Sequence, residues 1–346
     1  MSKPHILSAI ESLSQGARLA VAEMIVSHPT PFSASFAKNT NLETESFSAA
    51  LNAAIGAELG GKRTFVFGQV NSLDDMNHAS YMRLPLVMGN VSRSLGTYST
   101  KQDHSDIMSV RDTGWIIFMP QNNQETLETI IQAYKVSETS MLPSVVNIDM
   151  PYISETVTLP NEKYCHKFVS KPSLNFLAKK SYIGVGLDNY SDYKKEQQKA
   201  MTSALETIEK TSELWKKNTR RALPLVEQYK TEDADYVIVI AGYHSQTARV
   251  AIDKMRATGT KVGLLRLRVL RPFPAAQIVN ALANAKKVAV VDQAVSLGSS
   301  GILYNELKPL LKHIASFISL GVYMNEKHFV DIITHLSQGK EETVWL

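Results

Sequence analysis

Short unbroken apolar runs alternate along the chain with stretches whose apolar positions recur at helical spacing. In the first half the runs are TFVFGQ from Thr64, LPLVMGNV from Leu84, GWIIFMP from Gly114 and PSVVNIDM from Pro143. They lack polar alternation, as expected of strands covered on both faces of a parallel sheet. Helical patterns such as NQETLETIIQAYKVSE separate them. From Pro151 to about Tyr190 the alternation gives way to a polar, Pro- and Lys-bearing segment, and a long charged helical stretch follows, roughly Tyr193 to Tyr229. A second alternating series then begins with DYVIVIAG, a helix from Ser245, KVGLLRLRVL and KKVAVVDQ, and ends in SLGSSGILYNELKPLLKHI, where a Gly-rich turn opens a helix. Strands alternating with helices predict an α/β fold built on parallel sheets. Three segments are expected: a sheet domain over 1–160, a linker with its long helix over 161–230, and a second α/β domain over 231–346.

Composition sets limits on chemistry. A chain of 346 residues, 44% hydrophobic and 20% charged, suffices for two domains with separate cores. The single cysteine, Cys165, excludes an internal disulfide, and no clustered Cys/His set is present to hold zinc or an iron-sulfur cluster. No metal ligands are assigned. The N-terminus MSKPHILSAIESL lacks the apolar core of a signal peptide and no run is long enough to span a bilayer, so cytoplasm is the expected location and no membrane contact is expected. A net charge of +4, with Lys216, Lys217, Arg220 and Arg221 clustered without interleaved aromatics, reads as a solvated helix face and not as a nucleic-acid surface.

In open parallel sheets ligands gather beyond the carboxyl ends of the strands. The loop after LPLVMGNV, SRSLGTYSTKQDHSD, places Arg93 among small polar residues, a setting in which a planar guanidinium either grips a carboxylate or phosphate or ties the loop down. His104, between Asp103 and Asp106, reads as a surface or loop-tethering histidine before a ligand or base. The turn YHSQ lacks a GxGxxG fingerprint, and Arg266 and Arg268 stand where an acidic ribose partner belongs, which argues against a nicotinamide site. The stretch NLETESFSAALNAAIGAELGGKR, residues 41 to 63, reads as about six turns of small-faced helix, with Glu43 and Glu45 at its entry and Gly60-Gly61 at its exit.

Taken together, RLPLVMGNVSRSLGTYSTKQDHSDIMSVRDTGW, LPSVVNIDM, RLRVLRPFP and VVDQAVSLGSSGILYNEL resemble the alpha subunit of pyruvate and other 2-oxoacid:ferredoxin oxidoreductases, in order along nearly the whole chain. The resemblance implies a pyrimidine-binding-type domain of a thiamine diphosphate enzyme followed by a transketolase-C-terminal-like domain. It implies oxidative decarboxylation of a 2-oxoacid, with pyruvate the first candidate, to acyl-CoA, and electrons passed to ferredoxin. Such enzymes carry the diphosphate and Mg2+ on a GDG segment that this sequence lacks. Thiamine diphosphate would therefore lie at an interface with a beta subunit, and iron-sulfur clusters would reside in partner subunits, among them a ferredoxin-like delta beside a gamma subunit. Coenzyme A is the expected acyl acceptor.

The same resemblance assigns site residues and exposes departures. Arg93 is retained where the family holds the substrate carboxylate. SHPTPF keeps Thr30 between prolines but departs from the family's substrate-contacting YPITP turn, and TFVFGQVNSLDDM replaces a Ser- and Gly-rich turn. Thiamine enzymes use a glutamate at N1′ of the pyrimidine, positioned acid-base help typically of about 10²- to 10⁴-fold. Matching Ala50 and Gly56-Ala57 to the family pattern puts that glutamate at Phe47 and leaves Glu45 on an earlier acid of the pattern. Glu45 is two residues off, about 200° around a regular helix, and can serve only where residues 43 to 47 are not helical or the register slips. Three readings follow, in this order: a catalytic alpha-type subunit using Arg93 and Glu45 or another acid, a paralogous subunit retained for assembly with altered or lost thiamine chemistry, and a free-standing binding protein for a small carboxylate.

Overall fold

The computed structural model describes residues 4–28, 40–95, 101, 103–170, 190–339 and 343–346. Its contacts divide the chain into two compact units. The first comprises Met1–Val91, Ser109–Pro224 and Leu270–Pro272, and the second Ser92–Met108, Leu225–Val269 and Phe273–Leu346.

In the first unit, elements follow in the order β1 (Pro4–Ser8), α1 (Ala9–Leu19), β2 (Met24–Ser27), β3 (Leu42–Glu43), α2 (Phe47–Leu59), β4 (Thr64–Gly68), α3 (Leu73–Tyr81) and β5 (Val87–Val91). After α4 (Ser105–Ser109), which falls in the second unit but for its last residue, come β6 (Ile116–Phe118), α5 (Asn123–Ser140), β7 (Ser144–Ile148), β8 (Ser154–Thr158), α6 (Glu162–Val169) and α7 (Tyr190–Thr219). Among the described residues the main sheet has the order β12-β6-β7-β5-β4-β2-β3, where β12 is Val269–Arg271. The pairs from β3 across to β6 are parallel. Every residue of β4, β5, β6 and β7 is buried, which accounts for the unbroken apolar runs. A short antiparallel pair, β1 with β8, stands apart.

Helices cover the sheet. α1 packs so closely on α5 that a Cβ at Gly16 would stand 2.8 Å from Ile130 Cβ, so only glycine fits there. The long helix α7 is fastened to α5 by Gln132, whose Nε2 donates to Ile208 O (3.1 Å) and Thr211 Oγ1 (3.0 Å). Arg221, just past α7, donates from Nε to the buried Glu128 (2.5 Å). These bonds place α7 in the first unit.

The second unit carries β9 (Val226–Tyr229), β10 (Tyr236–Ala241), α8 (Ser245–Ala257), β11 (Val262–Leu267), α9 (Ala275–Ala281), β13 (Lys287–Asp292), α10 (Ile302–Leu307), β14 (Ile314–Ile318), α11 (Glu326–Ser337) and β15 (Thr343–Trp345). Its sheet runs β15-β14-β13-β10-β11-β9, parallel except for the antiparallel edge strand β9. Ile238, Ile252, Leu264, Phe317 and Phe329 form part of one core in which α8 and α11 meet the sheet. Arg266 lies in this sheet, buried, with its guanidinium on Glu227 (2.8 Å and 2.7 Å), a pair internal to the unit.

Candidate active site

The carboxyl end of the first sheet is lined by a short row set by strand register. Gly68 on β4 is opposite Asn90 on β5, and Asn90 is opposite Asn147 on β7. His28 follows β2 beside them, its N–H donating to Phe67 O (3.0 Å). Both asparagines are fully buried, and Asn90 Nδ2 donates to Asn147 Oδ1 at 2.6 Å. Asn90 Oδ1 in turn accepts from the N–H of Val70 (2.8 Å), which anchors the loop leaving β4.

Helix α2 enters over this row. The expected six-turn helix over 41–63 is shorter: it begins at Phe47, capped by Ser46, whose hydroxyl accepts from Ala49 N (3.1 Å), and it ends at Leu59 with Gly61 at φ +83°. Leu42 and Glu43 pair with β2 as the short strand β3, and the chain then bends at Glu45 and Ser46, with Thr44 N–H on Ser27 O (3.0 Å) and Thr44 Oγ1 on Ser46 O (2.9 Å). Glu43 and Glu45 are exposed and neither lies in the first helical turn. Because the chain at Ser46 is extended (φ −147°, ψ 159°), the helical 200° offset between positions 45 and 47 is not imposed on Glu45. Phe47 is 1% exposed, and a Cβ at Gly68 would lie 3.3 Å from its ring. Glycine at 68 makes room for that ring. Thr30 lies outside the described residues.

The helix's third carboxylate, Glu58, was not singled out by sequence. It is buried, accepts from Thr64 N–H (3.0 Å), and burial pushes its carboxyl up to about 8, with Glu138 nearby adding to the rise. Its signal was present: Phe47, Leu51, Ala54 and Glu58 share one stripe of the helix, so an acid interrupts the apolar face. The neighbouring Arg63 is also buried. Its Nε and Nη2 grip Glu138 (2.7 Å and 3.1 Å), while Nη1 and Nη2 donate to Ala20 O (2.8 Å) and Ser170 O (2.9 Å). The lone thiol, Cys165, is buried, and burial raises it to about 12, which makes it unreactive.

Arg93 belongs to the second unit. Its backbone N–H donates to Asp106 Oδ2 (3.2 Å), and the same carboxylate accepts from Ser92 Oγ (2.7 Å) and Ile107 N–H (2.7 Å). Asp106 therefore shapes the loop that presents the half-buried Arg93 side chain. His104 is buried, which excludes the surface half of its surface-or-tethering reading. Asp103 is spent on Ser105, and the His104 backbone N–H docks on Gln293 O (2.7 Å) just beyond β13. Asp292, the last residue of β13, accepts from Leu303 N–H (2.7 Å) and Tyr304 N–H (3.0 Å). Its burial raises the carboxyl to about 7 against those bonds. A Cβ at Gly301 would fall 2.0 Å from this carboxylate, so the Gly-rich turn is shaped around it.

Among the described residues no group of three or more His, Cys, Asp or Glu is arranged to hold a metal ion, and no helix is long and apolar enough to cross a membrane. The carboxyl-end row offers a ligand one fitting feature, an orphaned buried donor, Asn147 Nδ2. It offers no acid at position 47.

Known proteins match this arrangement over its length. The family profile described as pyruvate flavodoxin/ferredoxin oxidoreductase, thiamine diphosphate-binding, covers residues 22–217. That of the pyruvate:ferredoxin oxidoreductase core domain II covers 234–325. The pyruvate synthase subunit PorA of Methanothermobacter thermautotrophicus is 31% identical over 99% of this chain and 97% of its own. A solved 2-oxoglutarate:ferredoxin oxidoreductase from Magnetococcus marinus superposes with a TM-score of 0.76 at 16% identity. The match covers 97% of this chain and 65% of that one, and so shows the fold. A transketolase from Campylobacter jejuni does so at 0.55 and 11% identity, covering 97% of this chain and 47% of that one, in keeping with a transketolase-like second unit. The chain belongs to the 2-oxoacid:ferredoxin oxidoreductase family, as an alpha-type subunit of an enzyme that works as a complex.

Proposed function

We propose that this chain is the pyrimidine-side subunit of a pyruvate-oxidising complex in the cytoplasm. A beta subunit would carry the diphosphate and Mg2+ of thiamine diphosphate, the beta and a ferredoxin-like delta subunit would carry the iron-sulfur clusters that reduce ferredoxin, and a gamma subunit would complete the complex. The end-to-end match to a pyruvate synthase subunit supports the reading most strongly. The absence of a GDG segment from the full sequence is consistent with a shared site. Bound thiamine diphosphate supplies the electron sink for decarboxylation, and coenzyme A takes the acyl group.

The roles of this chain's residues follow from their positions. Glu45, exposed at the non-helical bend that enters α2, is the carboxylate free to hold a proton at pyrimidine N1′. Phe47 behind it is a core side chain that closes the helix onto Gly68. Arg93 is the proposed clamp for the substrate carboxylate, its loop fixed by Asp106, and Thr30 the proposed second substrate contact. The burial of Phe47 favours one other reading, a paralogous subunit retained for assembly. Purification from the native host decides between them: co-eluting subunits, thiamine, iron and CoA-dependent reduction of a dye by pyruvate are expected. A complex free of thiamine would leave only the assembly role, and a stable monomer that binds a small carboxylate would contradict both.

A further inference from the structure

Asn147 is held in one orientation by a chain of donors and acceptors. Val70 N–H needs an acceptor and takes Asn90 Oδ1 (2.8 Å), so Asn90 must present its Nδ2 as donor. That donor goes to Asn147 Oδ1 (2.6 Å). The amide of Asn147 is planar, so with Oδ1 turned toward β5 its Nδ2 faces away from β5, on the β6 side of β7. Asn147 Nδ2 is buried and meets no acceptor. Holding Asn90 requires only an acceptor at position 147. The other half of the amide is surplus to the fold and destabilises it while unmet. It stands at the carboxyl end of a central parallel strand, where ligands of such sheets gather.

We infer that Asn147 is a ligand-binding residue whose Nδ2–H donates to an acceptor atom of the molecule seated at the carboxyl end of the first sheet. The inference rests on the function proposed above. Two acceptors satisfy the same chemistry: a ring nitrogen of the aminopyrimidine and a carbonyl or carboxylate oxygen of the 2-oxoacid. Both are electron-rich and want a neutral or positive donor, so an amide suits position 147 where a carboxylate would repel them.

The informative variant is Asn147→Asp, which keeps the acceptor for Asn90 and replaces the spare donor with an anionic oxygen. In the co-purified complex it should assemble as wild type does. Binding of thiamine diphosphate to the substrate-free complex, by calorimetry, should weaken roughly 10- to 100-fold if the ring is the acceptor. If the substrate oxygen is the acceptor, cofactor binding holds and the KM for pyruvate rises by that factor. Should Asn147→Asp not assemble, Asn147→Ser, small enough to admit a water as acceptor for Asn90, is put through the same two measurements with the same expectation. Wild-type values of both in an assembled variant would overturn the inference and assign the spare N–H to an ordered water. A wild-type complex that itself binds no thiamine diphosphate overturns the functional reading, and this inference with it.

Discussion

The two ends of helix α2 carry its acids in opposite conditions. At the entry, Glu45 is exposed on a bend ahead of a helix whose first residue, Phe47, is sunk in the core. At the exit, Glu58 is buried and raised to about 8, with the Arg63–Glu138 pair close by. Eleven residues at a rise of 1.5 Å separate positions 47 and 58, about 16 Å along the helix. A strongly shifted carboxyl is often taken as a sign of catalysis. Here the shifted acid fastens the helix to the start of β4, at the far end from the strand termini where ligands collect. The solvent-facing acid at the entry is the one proposed to act. Perturbation alone is a poor guide unless the end of the sheet is considered with it.

The contrast can be broken hardest at the exit. Arg63→Ala leaves Glu138, the buried carbonyl of Ala20 and that of Ser170 without their donor, and should cost about 3–5 kcal/mol, as when one partner of a buried pair is removed. A lowered denaturation midpoint should appear together with near-normal turnover in the fraction that still assembles. Turnover lost in proportion beyond the unfolded fraction would tie the exit to chemistry.

Next in size is a pH effect with a fixed sign. Glu58 has a folded value near 8 against an ordinary 4.5, so the fold favours its protonated form. That contribution is complete below about 4.5 and is lost as pH rises through about 8. Glu58→Gln, neutral throughout, should match wild type near pH 5 and be the more stable by about 2–4 kcal/mol near pH 9. Asp292, raised to about 7, is common to both proteins and cancels in the difference. Parallel pH profiles for the two would show that Glu58 does not titrate as described.

The smallest effect lies on the outer face. Gly56 is exposed, and a Cβ there would meet nothing within 4 Å in this chain. Gly56→Ala should stabilise the isolated chain by about 0.5–1 kcal/mol, through helix propensity alone. If Gly56 and the partly exposed Ala49, Ala53 and Ala57 form a face covered by a partner, the same substitution should reduce co-elution with it.

Much of this was legible. The apolar runs became fully buried parallel strands, and NQETLETIIQAYKVSE became α5. The family resemblance and its two-part α/β fold needed only the spaced loops. The entry of α2 was misread by a few residues because acids before a helix complement its dipole whether or not they are inside it. Ser46, with its hydroxyl on Ala49 N–H, fixes the true start. His104 reads in the sequence as a surface or loop-tethering residue because its neighbours are acids, yet both carboxylates are taken up by local hydrogen bonds and the histidine is buried. The Arg63–Glu138 and Asn90–Asn147 pairs span dozens of residues. They depend on strand order and register, which no local pattern carries.

The comparison between the ends of α2 is tested most directly by assaying Glu45→Gln and Glu58→Gln side by side in the assembled complex, following pyruvate-dependent dye reduction at neutral pH. Glu45→Gln should lose about 10²-fold or more in turnover, with Glu58→Gln close to wild type. Full activity in Glu45→Gln, or a matching loss in Glu58→Gln, would contradict the assignment of the chemistry to the entry of the helix.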